Sequence, residues 1–167
     1  MNDLKDQQLI FDNAVFSNFA KIGRLDLIFL LSDNIYTTQE VIEEINAGVI
    51  KRPALGAIID LVQCGKIIIK SLETEAGIML MDELIQEGRL GIGEISTMSV
   101  ASETNGIFVT DDEAATKKAI SLGISVLSKV ELRDTVTILN ILIHNNGVTE
   151  IEYTEIIQLL AVNNFVF

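Results

Sequence analysis

Short apolar runs alternate with stretches whose apolar residues recur at helical spacing, and the alternation continues along the whole chain. LIF at residues 9–11 reads as a strand, residues 13–22 as a helix, and residues 34–36 as a second strand. Thr37 with Glu40 has capping-box spacing and predicts a helix to about residue 46, followed by another from Pro53 to Cys64. KIIIK predicts a strand, ETEAGIMLMDELIQEG a helix stopped by Gly88, and residues 94–103 a helix entered from GIG. GIFVT is the clearest buried strand and runs directly into Asp111 and Asp112. Thr110 with Glu113 caps the next predicted helix, which Gly123 ends, and ISVL reads as the last strand. Ser128 with Glu131 is placed to cap a long helix reaching about residue 145, and Thr149 with Glu152 to cap the final one.

Strand and helix in alternation predict a mostly parallel sheet covered by helices on both faces, because parallel strands need crossover connections that pack against the sheet. The 167 residues fit one domain, with an α/β core over 1–128 and a helical extension over 129–167. Hydrophobic residues make up 49% of the chain but aromatic ones only 5%, so the core must be built from Ile, Leu, Val and Ala. The lone Cys64 excludes an intrachain disulfide and a cysteine zinc cluster, and reads as a small buried hydrophobe. The N-terminus lacks the basic and apolar regions of a signal peptide and no apolar run reaches the roughly 20 residues that span a bilayer, so a cytoplasmic protein away from membranes is expected.

Charge narrows the function. A net charge of −12 argues against a strong general nucleic-acid binder, whose affinity comes from basic groups neutralising phosphates. It is compatible with chemistry in which a bound metal supplies the positive charge, with Lys117 and Lys118 as candidate strand-holding groups.

Four separated acidic positions attract attention within this pattern. Asp12 and the Asp111, Asp112 pair follow predicted strands, at the carboxyl edge where such sheets bind ligands. Each also suits the start of a helix, as an N-cap or a first-turn acid. Glu94 falls among Met98, Ala101 and Ile95 on the face its helix should bury, with no basic residue within a turn. Glu44 lies at the edge of the stripe formed by Val41, Ile42 and Ile45, whereas Glu40 and Glu43 point away. Brought together, these carboxylates would repel one another unless a hard cation such as Mg²⁺ or Mn²⁺ lay between them. His144, the only histidine, has no Ser or Cys placed beside it for nucleophilic catalysis and suits a helix C-terminus. An aspartyl phosphoryl-transfer site at Asp12 would want a second acid two residues on, where the chain has Ala14.

The same segments, in the same order, resemble a PIN domain. FDNAVFSNFAKIGRLDLI resembles the opening strand and helix with Asp12 as first acid, TTQEVIEEI the next helix with Glu44, GIGEISTMSVA the glycine-led motif with Glu94, and GIFVTDDEAATKKAISLGISVLS the last motif with Asp112. The tail from Lys129 is similar to that of a PIN-like subgroup with a helix and a Gly-containing turn after the last strand. The resemblance implies a three-layer α/β/α sandwich and a metal-dependent ribonuclease of the kind found as toxins of toxin–antitoxin pairs. Asp12, Glu44, Glu94 and Asp112, with Asp111 adjacent, would hold Mg²⁺ or Mn²⁺, and Asn13 and Thr110 would orient them. RNA would be the substrate, an antitoxin protein a partner, and a homo-oligomer the assembly. The alternative is a catalytically silent interaction module, with VTILNILI as its apolar partner surface.

Overall fold

The computed structural model describes residues 4–128 and 133–167. In chain order they form β1 (Gln8–Phe11), α1 (Asn13–Lys21), a 3₁₀ segment (Leu25–Leu30), β2 (Asn34–Thr37), α2 (Gln39–Val49), a 3₁₀ turn (Pro53–Leu55) and α3 (Gly56–Gln63). There follow β3 (Ile68–Ile69), α4 (Glu75–Glu87), α5 (Ile92–Thr104), β4 (Ile107–Val109), α6 (Glu113–Ser121), α7 (Asp134–His144) and α8 (Glu150–Val162).

The four strands form one sheet in the order β3-β2-β1-β4, and every pairing is parallel. Strand alternation sends Leu9 and Phe11 to one face of β1 and Ile10 to the other, and all three are fully buried, so the sheet is covered on both sides. On the first face Leu9, Phe11, Ile35 and Val109 pack with apolar residues of α1, α2, α3, α7 and α8. On the second, Ile10 and Phe108 pack with Leu84 of α4, Ile95 and Met98 of α5, and Ala115 and Ala119 of α6. This is the three-layer α/β/α sandwich expected from the alternation.

Topology chooses where a site can lie. The chain lays β2 and then β3 to one side of β1 and returns to place β4 on the other, so the strand order reverses between β1 and β4. Crossovers leave in opposite directions at such a reversal and open a crevice at the carboxyl ends of the two strands. Phe11 and Val109 are in register there, and the Asp12 N–H donates to the Val109 carbonyl at 3.0 Å, so Asp12 and Thr110 emerge side by side.

Several expectations change in detail. α2 is capped by Thr38, whose hydroxyl accepts from the Val41 N–H; Thr37 turns inward and donates its hydroxyl to the Phe11 carbonyl. α6 is capped by Asp112, which accepts from the Ala115 N–H at 2.7 Å, because the Thr110 hydroxyl is already bonded to Asp12. ISVL contributes only a single parallel bridge, between Val126 and Phe108, instead of a strand. α7 begins at Asp134, later than the Ser128 cap predicted; Glu131 of that predicted cap lies outside the described residues. Cys64 is exposed at the C-cap of α3 instead of buried. The apolar positions of VTILNILI do not form a free partner face, since Ile138, Leu139 and Leu142 are buried in the first-face core. The Thr149, Glu152 capping box and the left-handed Gly88 at the end of α4 form as expected. Among the described residues no helix is long and apolar enough to cross a membrane.

Candidate metal centre

Asp12 directly follows β1 and caps α1, its Oδ1 accepting from the Asn13 N–H at 2.6 Å and its Oδ2 from the Thr110 hydroxyl at 3.0 Å. Burial, together with the charges of Glu94 and Glu44, raises its pKa from 3.8 to about 7 despite those two donors.

Glu44 reaches the same place from α2. Its carboxylate lies on the backbone of Gly93, accepting the N–H at 3.1 Å, and a Cβ at Gly93 would stand 2.8 Å from its Oε1. The second glycine of GIG therefore makes room for an acid from another helix; its φ lies outside the left-handed region, so conformational freedom is not what the position needs. The Thr38 and Ser96 hydroxyls share a 2.7 Å hydrogen bond that ties the start of α2 to α5 nearby. Asn13 completes the link, donating from Nδ2 to Glu44 Oε2 at 3.3 Å while its own Oδ1 accepts from the Ser17 hydroxyl.

Glu94 stands in the first turn of α5, where its Oε2 accepts from the Gly91 N–H at 2.9 Å. It is half-buried instead of sitting on the fully buried face, because this back-bond turns it toward the helix N-terminus. Burial raises its pKa, the Gly91 bond opposes that, and the charges of Asp112 and Glu44 raise it further.

Asp12, Glu44 and Glu94 thus line one cavity of about 390 Å³, together with Asn13, Ser17 and Asp111. Asp112 does not line it: Oδ1 caps α6, although the charge remains within electrostatic reach of Glu94. Asp111 is turned toward α7 instead. Its Oδ1 accepts from the Thr135 N–H at 2.8 Å, and its Oδ2 from the Thr135 hydroxyl at 2.6 Å and Asn18 Nδ2 at 2.7 Å. Burial raises the Asp111 pKa, while these donors and Arg133 hold it down. Asn13 and Thr110 touch the acids directly, as described. Lys117 and Lys118 are elsewhere, paired with Glu113 and Glu87. His144 is exposed in the last turn of α7.

One residue carries more here than its sequence position signalled. Asp134, at the first position of α7, is 2% exposed, and its Oδ2 accepts from the Thr110 N–H at 2.8 Å. Burial raises its pKa to about 7, with the Asp111 charge adding to the rise and the Thr110 and Ser128 N–H groups opposing it. The Thr110–Asp111 corner and the Asp134–Thr135 helix start thus exchange bonds in both directions, so α7 fixes the threonine that donates to Asp12. An acid in the first turn of an apolar helix was the available signal, obscured by the earlier start predicted for that helix. Asn18 and Thr135 gave none.

Among the described residues no three acidic, imidazole or thiol groups are drawn closely enough together to form a ready metal cage. The donor set nonetheless suits a hard divalent cation, being carboxylates with amide and hydroxyl support and no nearby thiol or imidazole. Uncompensated like charges favour a spread arrangement, and a cation between them favours a tighter one. A family model described as PIN domain matches residues 8–164, and the curated proteins contain no match to the chain. With its all-parallel sheet in a three-layer sandwich and a match over nearly all its length, the chain belongs to the PIN-domain family, a nuclease-type fold.

Proposed function

We propose that this protein is a metal-dependent ribonuclease hydrolysing RNA phosphodiester bonds, acting as the toxin of a toxin–antitoxin pair. The observation that carries the nuclease reading is the convergence of Asp12, Glu44 and Glu94, from three separate elements, on one cavity where Asp12 has its pKa raised to about 7. Acids brought together so that their charges raise the pKa of Asp12 and Glu94, with no salt bridge to any of the three among the described residues, make a costly arrangement of the kind functional sites maintain. The toxin role and the antitoxin partner rest on the family resemblance.

Asp12, Glu44 and Glu94 would hold Mg²⁺ or Mn²⁺, with Asp112 near enough to Glu94 to add its charge and Asp111 at the cavity wall. Bound there, such an ion supplies a Lewis acid that makes water a better nucleophile and offsets charge on a phosphodiester. The chain's own contribution is placement. Thr110 fixes Oδ2 of Asp12, Asn13 bridges Asp12 to Glu44, and Gly93 seats the Glu44 carboxylate. No side-chain nucleophile is required.

The test is cleavage of RNA in Mn²⁺ by the wild type, Asp12→Asn and Glu94→Gln. Wild-type cleavage lost in both variants is the expected result; undiminished cleavage in both would overturn the mechanism. A wild type that neither cleaves RNA nor gains thermal stability from Mn²⁺ would instead favour the silent interaction module.

A further inference from the structure

Lys21, at the end of α1, Arg52, in the turn after α2, and Arg133, preceding α7, line the same cavity as the three acids. Among the described residues none of these three cations forms a salt bridge, whereas Lys5, Arg24, Lys117 and Lys118 each pair with an acid. Among the described residues Lys51, Lys66, Lys70 and Arg89 form no salt bridge either, so what sets Lys21, Arg52 and Arg133 apart is that all three line one cavity in a chain of net charge −12. Their positions are built. Arg52 crosses Gly48, where a Cβ would lie 3.6 Å from its terminal nitrogen, and its N–H donates to the Gly48 carbonyl at 3.0 Å. Arg133 stands over the Phe165 ring at 5.4 Å, so the C-terminal tail orients it. It also lies near enough to Asp111 to lower that pKa, which leaves Lys21 and Arg52 as the uncommitted pair. The charge acting on Lys21 is that of Arg52, a like charge, which adds to burial in lowering the lysine's pKa.

The cavity is therefore lined both by carboxylates that repel one another and by a Lys21, Arg52 pair of like charge. A metal relieves the first and an anion the second. We propose that Lys21 and Arg52, extended by Arg133, form a phosphate-binding wall that grips the backbone of single-stranded RNA beside the phosphate presented to the acids. This rests on the nuclease reading above for the identity of the strand. A flexible single strand can enter a concave pocket of about 390 Å³ and offer successive phosphates to the acids and to the basic groups that line it, as a rigid duplex cannot. The net negative charge elsewhere then confines RNA to this place instead of weakening the case for binding.

The experiment is binding of a fluorescent single-stranded RNA in metal-free buffer across a salt series, for the wild type, Lys21→Ala/Arg52→Ala and Lys117→Ala/Lys118→Ala. Both variants lose the same charge, so a general electrostatic effect would weaken them equally. The expectation is that Lys21→Ala/Arg52→Ala binds about tenfold or more weakly, with the slope of log K against log salt reduced by about 1.4. The Lys117→Ala/Lys118→Ala variant should bind as wild type, and Lys21→Arg/Arg52→Lys should restore the slope. The Mn²⁺-induced rise in melting temperature should survive in Lys21→Ala/Arg52→Ala, because the acid wall is untouched. Equal weakening of the two alanine variants, or none in either, overturns the proposal while leaving Mn²⁺-dependent cleavage to judge the nuclease reading separately. Loss of cleavage and metal response with the cation-dependent binding retained sinks the nuclease reading and keeps the phosphate wall.

Discussion

Asp12 and Asp134 are two buried carboxyls with the same burial and the same titration, 3% and 2% exposed and each raised from 3.8 to about 7, yet their surroundings differ in kind. Asp134 faces packed main chain, accepting the Thr110 N–H, and its neighbour Asp111 is wrapped by Thr135 and Asn18. Asp12 faces a cavity shared with Glu44 and Glu94. Where a buried acid is wrapped by fixed donors, it locks main chain in place. Where it opens on a cavity with other acids, the unresolved repulsion can be met from outside by a cation. A raised pKa alone does not separate structure from function; what occupies the space in front of the carboxylate does.

The comparison breaks most visibly under substitution. Asp12→Asn should lower RNA cleavage on the order of 10²–10³-fold while leaving metal-free stability unchanged or higher, since it removes a buried charge held among other charges. Asp134→Ala should act first on the fold, destabilising it by about 1–3 kcal/mol through the unmatched Thr110 N–H. Thermal unfolding of both variants without metal, beside cleavage with Mn²⁺, checks this; a marked loss of stability in Asp12→Asn would erase the distinction.

Acidity sharpens it. A carboxyl whose folded pKa exceeds its unfolded value holds its proton more tightly when folded, so its stabilising contribution is full below about pH 4 and lost as the pH climbs toward about 7. Metal-free protein should therefore be less stable at pH 8 than at pH 5, by on the order of 2–3 kcal/mol for each of these two groups. Saturating Mn²⁺ should offset the part belonging to Asp12 and leave that of Asp134, a difference that denaturant melts with and without metal at both pH values would show. If Mn²⁺ changes nothing at pH 8, Asp12 is no more open to a cation than Asp134.

The smallest effect probes the seat of Glu44. Gly93→Ala places a methyl group against that carboxylate and should reduce cleavage or Mn²⁺ affinity about tenfold. Asp134 and its bonds should be untouched, so pH-dependent melting of the metal-free variant should keep the Asp134 contribution.

The alternation of apolar runs with helical periodicity made the sandwich legible, because each strand or helix announces its buried face through local spacing. The same spacing marked Glu44 as the inward acid of VIEEI, and the position of Asp12 after its strand was readable in the same way. Capping was less legible: Thr37 and Thr38 are adjacent and chemically alike, and only the Phe11 carbonyl across the sheet turns Thr37 inward.

What the sequence determined by itself was therefore which segments become strands and helices and which acids end them, since those depend on neighbours a few residues away. Only the tertiary structure decided that Asp111 would clasp Thr135 while Asp112 caps a helix, that Gly93 would cradle Glu44, and that Lys21 and Arg52 would line the same cavity as the acids. These pairings join residues far apart in the chain, through the reversal of strand order between β1 and β4 and the packing of α7 against it, and no local pattern encodes a distance across a fold.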